Sequence, residues 1–278
     1  MVTLGVDVGG TATKWVVLDG TGDVRHEGSV PTPTGGPEAV LELIGALCRQ
    51  YEKISGVGVG VPGNVDVETG RVRFVPNVAG DWAGFPLAER VAAATGRPST
   101  VVNDARAFAL AELRHGAARG WSSALFVVLG TGVGGAIAID GRVLRNATDS
   151  AGEIGHLTVE PAGRPCGCGH RGCLETLASG PALGGGATAE AALAGDEHAA
   201  HRVRVAGWAL GTAIGSALAL LGLRTVVIGG GVAAALPLLR PDIEAELAGR
   251  TALLGECEVR EAALGVRAGA IGAALWAT

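Results

Sequence analysis

Charge and cysteine are both scarce in this sequence. Charged residues make up 18% of the chain, and there are five cysteines among 278 residues. The net charge is −5 and no basic stripe is visible, so nucleic-acid binding is not expected. No basic segment precedes an apolar stretch at the N-terminus, so no secretory signal is evident. The lack of a signal and the odd number of cysteines together predict a cytoplasmic protein with reduced thiols rather than a disulfide framework.

Long apolar runs are also missing. The most apolar stretch, residues 208–223, is short for a membrane span, rich in glycine and alanine, and followed at once by Arg224. It predicts a buried helix, and no membrane contact is expected. Hydrophobic residues still make up 48% of the chain, which suffices for a core in one large domain or two modest ones.

A weak internal repeat organises the chain. Residues 4–20 and 126–141 each contain an apolar strand, a turn of glycine and threonine, a second apolar strand and Asp-Gly. Asp-Gly between apolar runs is typical of a hairpin. Helix patterns fill the gaps, at residues 38–53, 86–95, 105–115 and 203–221. The sequence therefore predicts an α/β protein with two related lobes and a cleft between them.

The first glycine turn has phosphate-binding chemistry. Residues 7–14 read Asp-Val-Gly-Gly-Thr-Ala-Thr-Lys, so a carboxylate ends a strand and glycines free the turn N–H groups. Such N–H groups form anion-binding nests, and Asp7 could hold Mg²⁺ directly or through water. The alternative is a plain hairpin with a solvated Lys14. Gly-Thr-Gly at residues 130–132 favours phosphate, because two facing turns can clamp one triphosphate.

Two common nucleotide motifs do not fit the chain. The G-x-G-x-x-G matches that begin at Gly58 and Gly130 lead into strand patterns, whereas a dinucleotide site needs a helix there. No P-loop motif occurs.

Asn103 and Asp104 lie where a strand pattern meets a helix pattern. Asp is a favoured helix N-cap, but this edge of an α/β sheet is also the usual catalytic position. Both roles are compatible if Asn103 or the backbone helps to cap the helix.

The strongest local signal is a cluster of three cysteines, Cys166, Cys168 and Cys173, which follows His156. Three Cys and one His suit tetrahedral Zn²⁺, and four protein ligands leave no position for a catalytic water, so the metal would be structural. His170, inside the loop, is a competing ligand. The alternative is a loop of reduced, unligated thiols.

Two glutamates, Glu153 and Glu175, flank this loop. One interpretation is that both carboxylates are simply solvated. The other is that zinc fixes the loop and both carboxylates point into a cleft, where they can form hydrogen bonds with sugar hydroxyls. Gly63 and Asn77 could add to such a site, although each alone is a turn residue.

In this order, the motifs resemble the ROK family (repressors, open reading frames and sugar kinases). They are Asp-Val-Gly-Gly-Thr-Ala-Thr-Lys at 7–14, Pro-Gly at 62–63, Asn-Asp at 103–104, Gly-Thr-Gly-Val-Gly-Gly at 130–135, Gly-Glu-Ile-Gly-His at 152–156 and Cys-Gly-Cys-Gly-His-Arg-Gly-Cys-Leu-Glu at 166–175. The cysteine motif is the most specific, and the resemblance spans nearly the whole chain.

The resemblance implies a duplicated actin-like ATPase (ribonuclease H-like) fold with a central cleft. The smaller lobe would be residues 1–102, rejoined by a C-terminal helix at 266–278, and the larger lobe, residues 103–265, would carry the zinc loop. A cytoplasmic homodimer would use ATP and Mg²⁺ to phosphorylate the 6-hydroxyl of a hexose, above all glucose. Family repressors carry a DNA-binding segment before the first strand, where this sequence begins, so a repressor is not expected.

The resemblance also assigns roles to residues, with Asp104 as the catalytic base. The sugar would be bound by Gly63, Asn77, Asn103, Asp104, Glu153, His156 and Glu175. The phosphates would be surrounded by Asp7, Gly9, Gly10, Thr11, Thr13, Lys14, Thr131 and Gly132. The nucleoside would lie near Gly230 and Gly231. Zinc would be held by His156, Cys166, Cys168 and Cys173, so His156 would serve both zinc and sugar.

Three alternatives stay open. Residues 76–87 lie where family members vary, so an N-acetylhexosamine such as N-acetylglucosamine or N-acetylmannosamine is a second candidate acceptor. A non-catalytic sugar sensor is disfavoured by the intact Asp104 and both phosphate turns. A polyphosphate donor is disfavoured by the zinc motif.

Overall fold

The computed structural model describes residues 1–51 and 53–277, which form two compact units. Unit 1 consists of Met1–His115, Val143–Ala151 and Val266–Thr278, and unit 2 consists of Gly116–Arg142 and Gly152–Gly265. The lobe boundary at 102/103 stays a prediction. The helix that follows residue 103 stays in unit 1 because it packs against the C-terminal helix of that unit.

Twelve strands lie within the described residues. They are β1 Val2–Val8, β2 Ala12–Leu18, β3 Val24–Pro31, β4 Ile54–Val61, β5 Asn64–Val65, β6 Val72–Phe74, β7 Ser99–Asn103, β8 Ala124–Leu129, β9 Val133–Ile139, β10 Arg142–Val143, β11 Thr225–Gly229 and β12 Glu258–Glu261.

Ten α-helices lie in the same described ranges. They are α1 Gly36–Gln50, α2 Leu87–Thr95, α3 Asp104–His115, α4 Glu175–Ala178, α5 Gly180–Leu183, α6 Gly186–Leu193, α7 Glu197–Leu221, α8 Leu236–Ala248, α9 Thr251–Leu254 and α10 Ala268–Trp276. The helix expected at 38–53 ends earlier, at Gln50, and position 52 lies outside the described residues.

The internal repeat corresponds to two sheets with one strand order. The first sheet runs β3-β2-β1-β4-β7 and the second runs β10-β9-β8-β11-β12. In each, the central strand pairs antiparallel with the next strand in sequence and parallel with the strand on its other side. The outer pairs β4–β7 and β11–β12 are also parallel. A duplicated five-stranded unit explains why the two glycine turns recur at equivalent places.

The sheet of unit 1 brings its candidate residues to one edge. Strands β1, β4 and β7 are neighbours and parallel, so their carboxyl ends meet there. Asp7, Gly63 and Asp104 lie at or just after these ends. Helix α10 covers the sheet closely because Gly58 has no side chain, and a Cβ at that position would overlap the carbonyl of Ala273. This edge is where α/β sheets usually bind ligands.

The long apolar helix α7 is part of the core of unit 2. By length and composition it could cross a membrane, but 56% of its most apolar window is buried. Its buried face includes Val203, Leu210 and Ile214 and packs against α8. The helix begins six residues before the expected start, because Asp196 caps it by accepting the Ala199 N–H at 2.8 Å.

Candidate active site

The turn between β1 and β2 is held by a chain of threonine hydroxyls. The Thr32 hydroxyl donates to the carbonyl of Gly9 at 2.6 Å and lies 3.0 Å from the Thr13 hydroxyl. Since the single proton of Thr32 goes to Gly9, Thr13 is the donor to Thr32. Thr13 is completely buried, whereas Thr11 is exposed. Thr13 therefore stabilises the turn through Thr32, and its contact with phosphate stays a prediction.

Asp7 is a closely packed carboxyl beside this turn. It lies opposite Lys14 in the β1–β2 register and next to Gly60 of β4. The first turn of α10 closes over it at Gly269. Burial raises the pKa of Asp7 to about 6, and the positive charge of Lys14 only partly opposes this rise.

Asn77 lies against the same turn. A Cβ built on Gly10 would come within 2.6 Å of the Asn77 carbonyl oxygen, so only glycine fits at position 10 without a shift. Asn77 itself is exposed and has φ of 60°, a left-handed conformation that asparagine adopts more readily than most residues. Unit 1 thus brings an expected sugar ligand next to the expected phosphate turn.

Asn103 caps helix α3. Its side-chain oxygen accepts the N–H groups of Ala105 at 2.9 Å and Arg106 at 3.2 Å, and its amide nitrogen donates to the carbonyl of Gly63 at 2.8 Å. The Asp104 carboxyl accepts the N–H of Ala105 at 2.8 Å and stays partly exposed. Both side chains accept the Ala105 N–H, but only Asn103 also accepts that of Arg106, so Asn103 supplies the larger part of the cap. Asn103 also joins the Gly63 loop to the start of α3.

A buried charged network surrounds this junction, and sequence reasoning missed it. Arg106 and Asp149 have no exposed surface, and Asp149 pairs with Arg145 at 2.8 Å. One signal was available: Arg106 stands among apolar residues in the first turns of α3, and a charge in such a run needs a buried partner.

The second glycine turn is joined to two other segments of unit 2, the start of α5 and the loop after β11. Gly130 donates its N–H to the carbonyl of Gly132 at 2.9 Å, which leaves Thr131 exposed at the tip. The carbonyl of Gly130 accepts the N–H of Gly180, at the start of α5, at 2.8 Å. The loop after β11 joins it, because Val232 donates to the carbonyl of Leu129 at 3.0 Å. The loop that contains Gly230 and Gly231 therefore lies beside this turn, and their place near a nucleoside stays a prediction.

Three cysteines and one histidine converge in the loop of unit 2. The ligand atoms of His156, Cys166, Cys168 and Cys173 all lie within 4.8 Å of one another. The Cys166–His156 and Cys168–Cys173 donor atoms are 3.7 Å apart. Zn–S bonds of about 2.3 Å in a tetrahedron place neighbouring donors roughly 3.8 Å apart. This group fits a tetrahedral divalent cation. His170 is not in the group, and its Nδ1 lies 3.0 Å from the Arg171 carbonyl.

Glu175 connects this loop to the glycine turn. One carboxylate oxygen accepts the N–H of Val133 at 2.9 Å, and a Cβ on Gly132 would lie 2.5 Å from that oxygen. The other oxygen accepts a hydrogen bond from the Cys166 thiol at 3.8 Å. Glu175 therefore contacts both the turn and the cysteine cluster within unit 2.

Glu153 precedes a short 3₁₀ turn, Ile154–His156, and its carbonyl accepts the N–H of His156 at 3.1 Å. This turn packs against the start of β9, where Gly155 meets the carbonyl of Val133. The turn that follows Glu153 and the carboxylate of Glu175 therefore both contact Val133.

The sequence profile of the ROK family matches residues 3–278. The chain belongs to the ROK family. The glucokinase of Streptomyces coelicolor is 40% identical over 185 residues, which cover 66% of this chain and 57% of that protein. The chain therefore spans just over half the length of this relative.

Solved ROK structures resemble the whole chain. The ROK hexokinase from Thermus thermophilus superposes with a TM-score of 0.87 and 36% identity, covering 100% of this chain and 98% of that one. The ROK glucokinase from Streptomyces griseus, solved in complex with glucose and AMPPNP, has a TM-score of 0.85 and 32% identity, covering 100% and 99%. The family resemblance and the duplicated actin-like ATPase fold expected from the sequence are confirmed.

Proposed function

We propose that this ROK protein is an ATP-dependent sugar kinase that transfers the γ-phosphate of ATP to the 6-hydroxyl of glucose. One observation carries the proposal: Asp104 begins α3 at the carboxyl edge of the unit 1 sheet, while Asn103 supplies the larger part of the cap. The Streptomyces griseus relative, solved with glucose and AMPPNP, supports both substrates.

Asp104 is the base in this mechanism. Its carboxylate accepts the proton of the attacking hydroxyl, and a base in this role contributes about 10²–10⁴-fold to the rate. Phosphoryl transfer has a loose transition state, so the orientation of the hydroxyl towards the phosphate matters as much as its deprotonation. The anchored junction at Asn103 holds the base in a fixed place.

The two glycine turns bind phosphate in this proposal. The turns at residues 9–11 and 130–132 occupy equivalent places in the two sheets, after β1 and β8. Backbone N–H groups there stabilise phosphate charge without reorganisation, and Lys14 adds a positive charge. Gly230 and Gly231 contact the nucleoside end.

Asp7 is the residue that would hold Mg²⁺. A carboxylate next to a phosphate turn is a hard oxygen ligand of the kind Mg²⁺ takes, with phosphate oxygens and water as the rest. The raised pKa of Asp7 fits a carboxyl that becomes fully ionised beside a cation. When bound, Mg²⁺ neutralises charge on the phosphates.

Sugar-binding roles are assigned in both units. In unit 1 they fall to Asn103 and Gly63, which are joined next to the base, and to Asn77, which lies against Gly10. In unit 2 they fall to Glu153, His156 and Glu175. Carboxylates at such positions accept hydrogen bonds from sugar hydroxyls, and an amide N–H can donate one. A hydroxyl-binding site discriminates strongly against analogues that lack the hydroxyl.

Zinc is structural in this proposal. His156, Cys166, Cys168 and Cys173 would occupy all four positions of a tetrahedral ion. The bound metal would hold the loop that carries Glu175. It would supply no catalytic water.

We also propose that the protein acts in the cytoplasm as a homodimer. All five cysteines are unbonded in the part of the chain described, which suits a reducing compartment. Light scattering after size exclusion tests the dimer: a mass near twice 27.6 kDa is expected, and a single-chain mass contradicts it.

The experiment that tests the function measures the sugar phosphate formed from glucose, mannose, fructose, N-acetylglucosamine and N-acetylmannosamine. ATP and polyphosphate are supplied as donors in separate reactions. The highest kcat/KM is expected for ATP with glucose. A higher kcat/KM for N-acetylmannosamine would identify an N-acetylhexosamine as the acceptor. Sugar binding without turnover of any donor would show a sensor rather than a kinase.

A further inference from the structure

The segment Val143–Ala151 belongs to unit 1, although the residues on both sides of it belong to unit 2. Asp149, in this segment, is fully buried and has φ of 50°. That left-handed conformation is uncommon outside glycine, and strained backbone persists only where the surroundings fix it. The interactions of its carboxylate show what fixes it.

Arg145 binds the Asp149 carboxylate through two parallel hydrogen bonds. Its Nε donates to Oδ1 at 2.8 Å and its Nη2 donates to Oδ2 at 2.9 Å. Such bidentate pairs are strong and directional. The guanidinium itself is held by the ring of Trp276 at 4.9 Å and by the carbonyl of Val101 at 3.3 Å. The orientation of the Asp149 carboxylate is therefore set from several sides.

The same carboxylate binds the strand that leads to the base. Asp149 Oδ2 accepts the backbone N–H of Asn103 at 2.8 Å. On the other side of Asp104, Arg106 donates to the carbonyl of Ala151 at 2.6 Å and to the side-chain oxygen of Asn103 at 2.8 Å. One short segment thus anchors the residue before Asp104 and the second residue after it.

We propose that Asp149, oriented by Arg145, is a positioning residue that sets the backbone from which Asp104 acts. The inference rests on the proposed kinase function, in which Asp104 is the base. If the anchor at Asn103 is lost, the carboxyl of Asp104 moves relative to the attacking hydroxyl. A misplacement of about 1 Å in a reacting group can cost roughly 10²-fold in rate.

The test compares Asp149→Asn with the wild type by ADP release, at temperatures well below the unfolding transition of each variant. We expect kcat with glucose to fall about 10–100-fold while KM for glucose and for ATP changes by less than about 3-fold. Arg145→Lys keeps the charge but cannot form both bonds, so it should lose less kcat than Asp149→Asn.

Ile44→Ala is the matched stability control. Ile44 is fully buried in the core of the same unit, on α1, and takes no part in the junction. Its truncation should lower the transition temperature and leave kcat unchanged. A loss of kcat in Asp149→Asn that exceeds the loss in Ile44→Ala separates positioning from general destabilisation.

A folded Asp149→Asn with wild-type kcat would overturn the positioning role alone, provided the wild type is active. A wild type without turnover on any sugar would overturn the kinase function and this role with it. If Asp149→Asn does not fold, Arg145→Lys is measured instead. A lower kcat at unchanged KM supports the positioning role. A loss of kcat no larger than that in Ile44→Ala overturns it.

Discussion

The side-chain oxygen of Asn103 accepts a hydrogen bond from the guanidinium of Arg106 at 2.8 Å, in addition to the backbone N–H groups of the α3 cap. The residue before the proposed base thus both caps the helix and accepts a hydrogen bond from the buried Arg106. The structural role of Asn103 and the proposed catalytic role of Asp104 fall on two adjacent side chains, so mutation can test them separately.

Asn103→Ala should be strongly destabilising. The substitution removes the cap, the hydrogen bond to Gly63 and a partner of buried Arg106, for a loss of about 2–4 kcal/mol in the free energy of unfolding. Urea denaturation at pH 7 measures it. Asp104→Asn is the matched neighbour and should lose less than about 1 kcal/mol, because Asn103 supplies the larger part of the cap. Equal losses would mean that Asp104 contributes as much to the cap as Asn103.

Cys168→Ser should lower the zinc content and raise KM for glucose. A serine hydroxyl is a poorer zinc ligand than a thiolate, and the ligand loop also carries Glu175. Elemental analysis of the purified protein measures the metal. His170→Ala should keep the wild-type content, because His170 is not in the cluster. Full zinc in Cys168→Ser, or zinc loss in His170→Ala, would contradict the assigned ligand set.

The stability of the metal-free chain should depend on pH through Asp7. Its folded pKa is raised to about 6 from 3.8, so the folded state binds more protons than the unfolded state between these values. The contribution of Asp7 is therefore most favourable below about pH 4 and is lost as the pH rises through 6, by about 1–3 kcal/mol. Thermal unfolding in EDTA across pH 4–8 measures it, in wild type and Asp7→Asn.

Asp7→Asn should remove this pH dependence and should be more stable than the wild type at pH 8. The neutral amide has no charge to desolvate in the packed site beside Gly269. If both proteins show the same pH dependence, Asp7 does not carry the raised pKa.

Local patterns predicted those parts of the molecule that depend on nearby residues. The two Gly/Thr turns and their Asp-Gly hairpins predicted the repeated sheets, and the Cys166–Cys173 spacing with His156 predicted the clustered ligands. The sequence predicted a cap from Asp104 with help from Asn103 or the backbone, and Asn103 supplies the larger part of it.

Features that depend on distant contacts could not be predicted in this way. Asp149 contacts Asn103 across 46 residues, and nothing in the local sequence indicates that partner. The burial of Thr13 depends on its pairing with Val8 and on the hydroxyl of Thr32. The place of α3 in unit 1 depends on its packing against α10, at the other end of the chain.

The central claim is tested most directly by ADP release from Asp104→Asn with ATP and saturating glucose, with glucose binding measured by calorimetry on the same sample. The account predicts a kcat lower by about 10²–10⁴-fold at an unchanged glucose affinity. A kcat close to that of the wild type would contradict the account, because Asp104 would then not be the base.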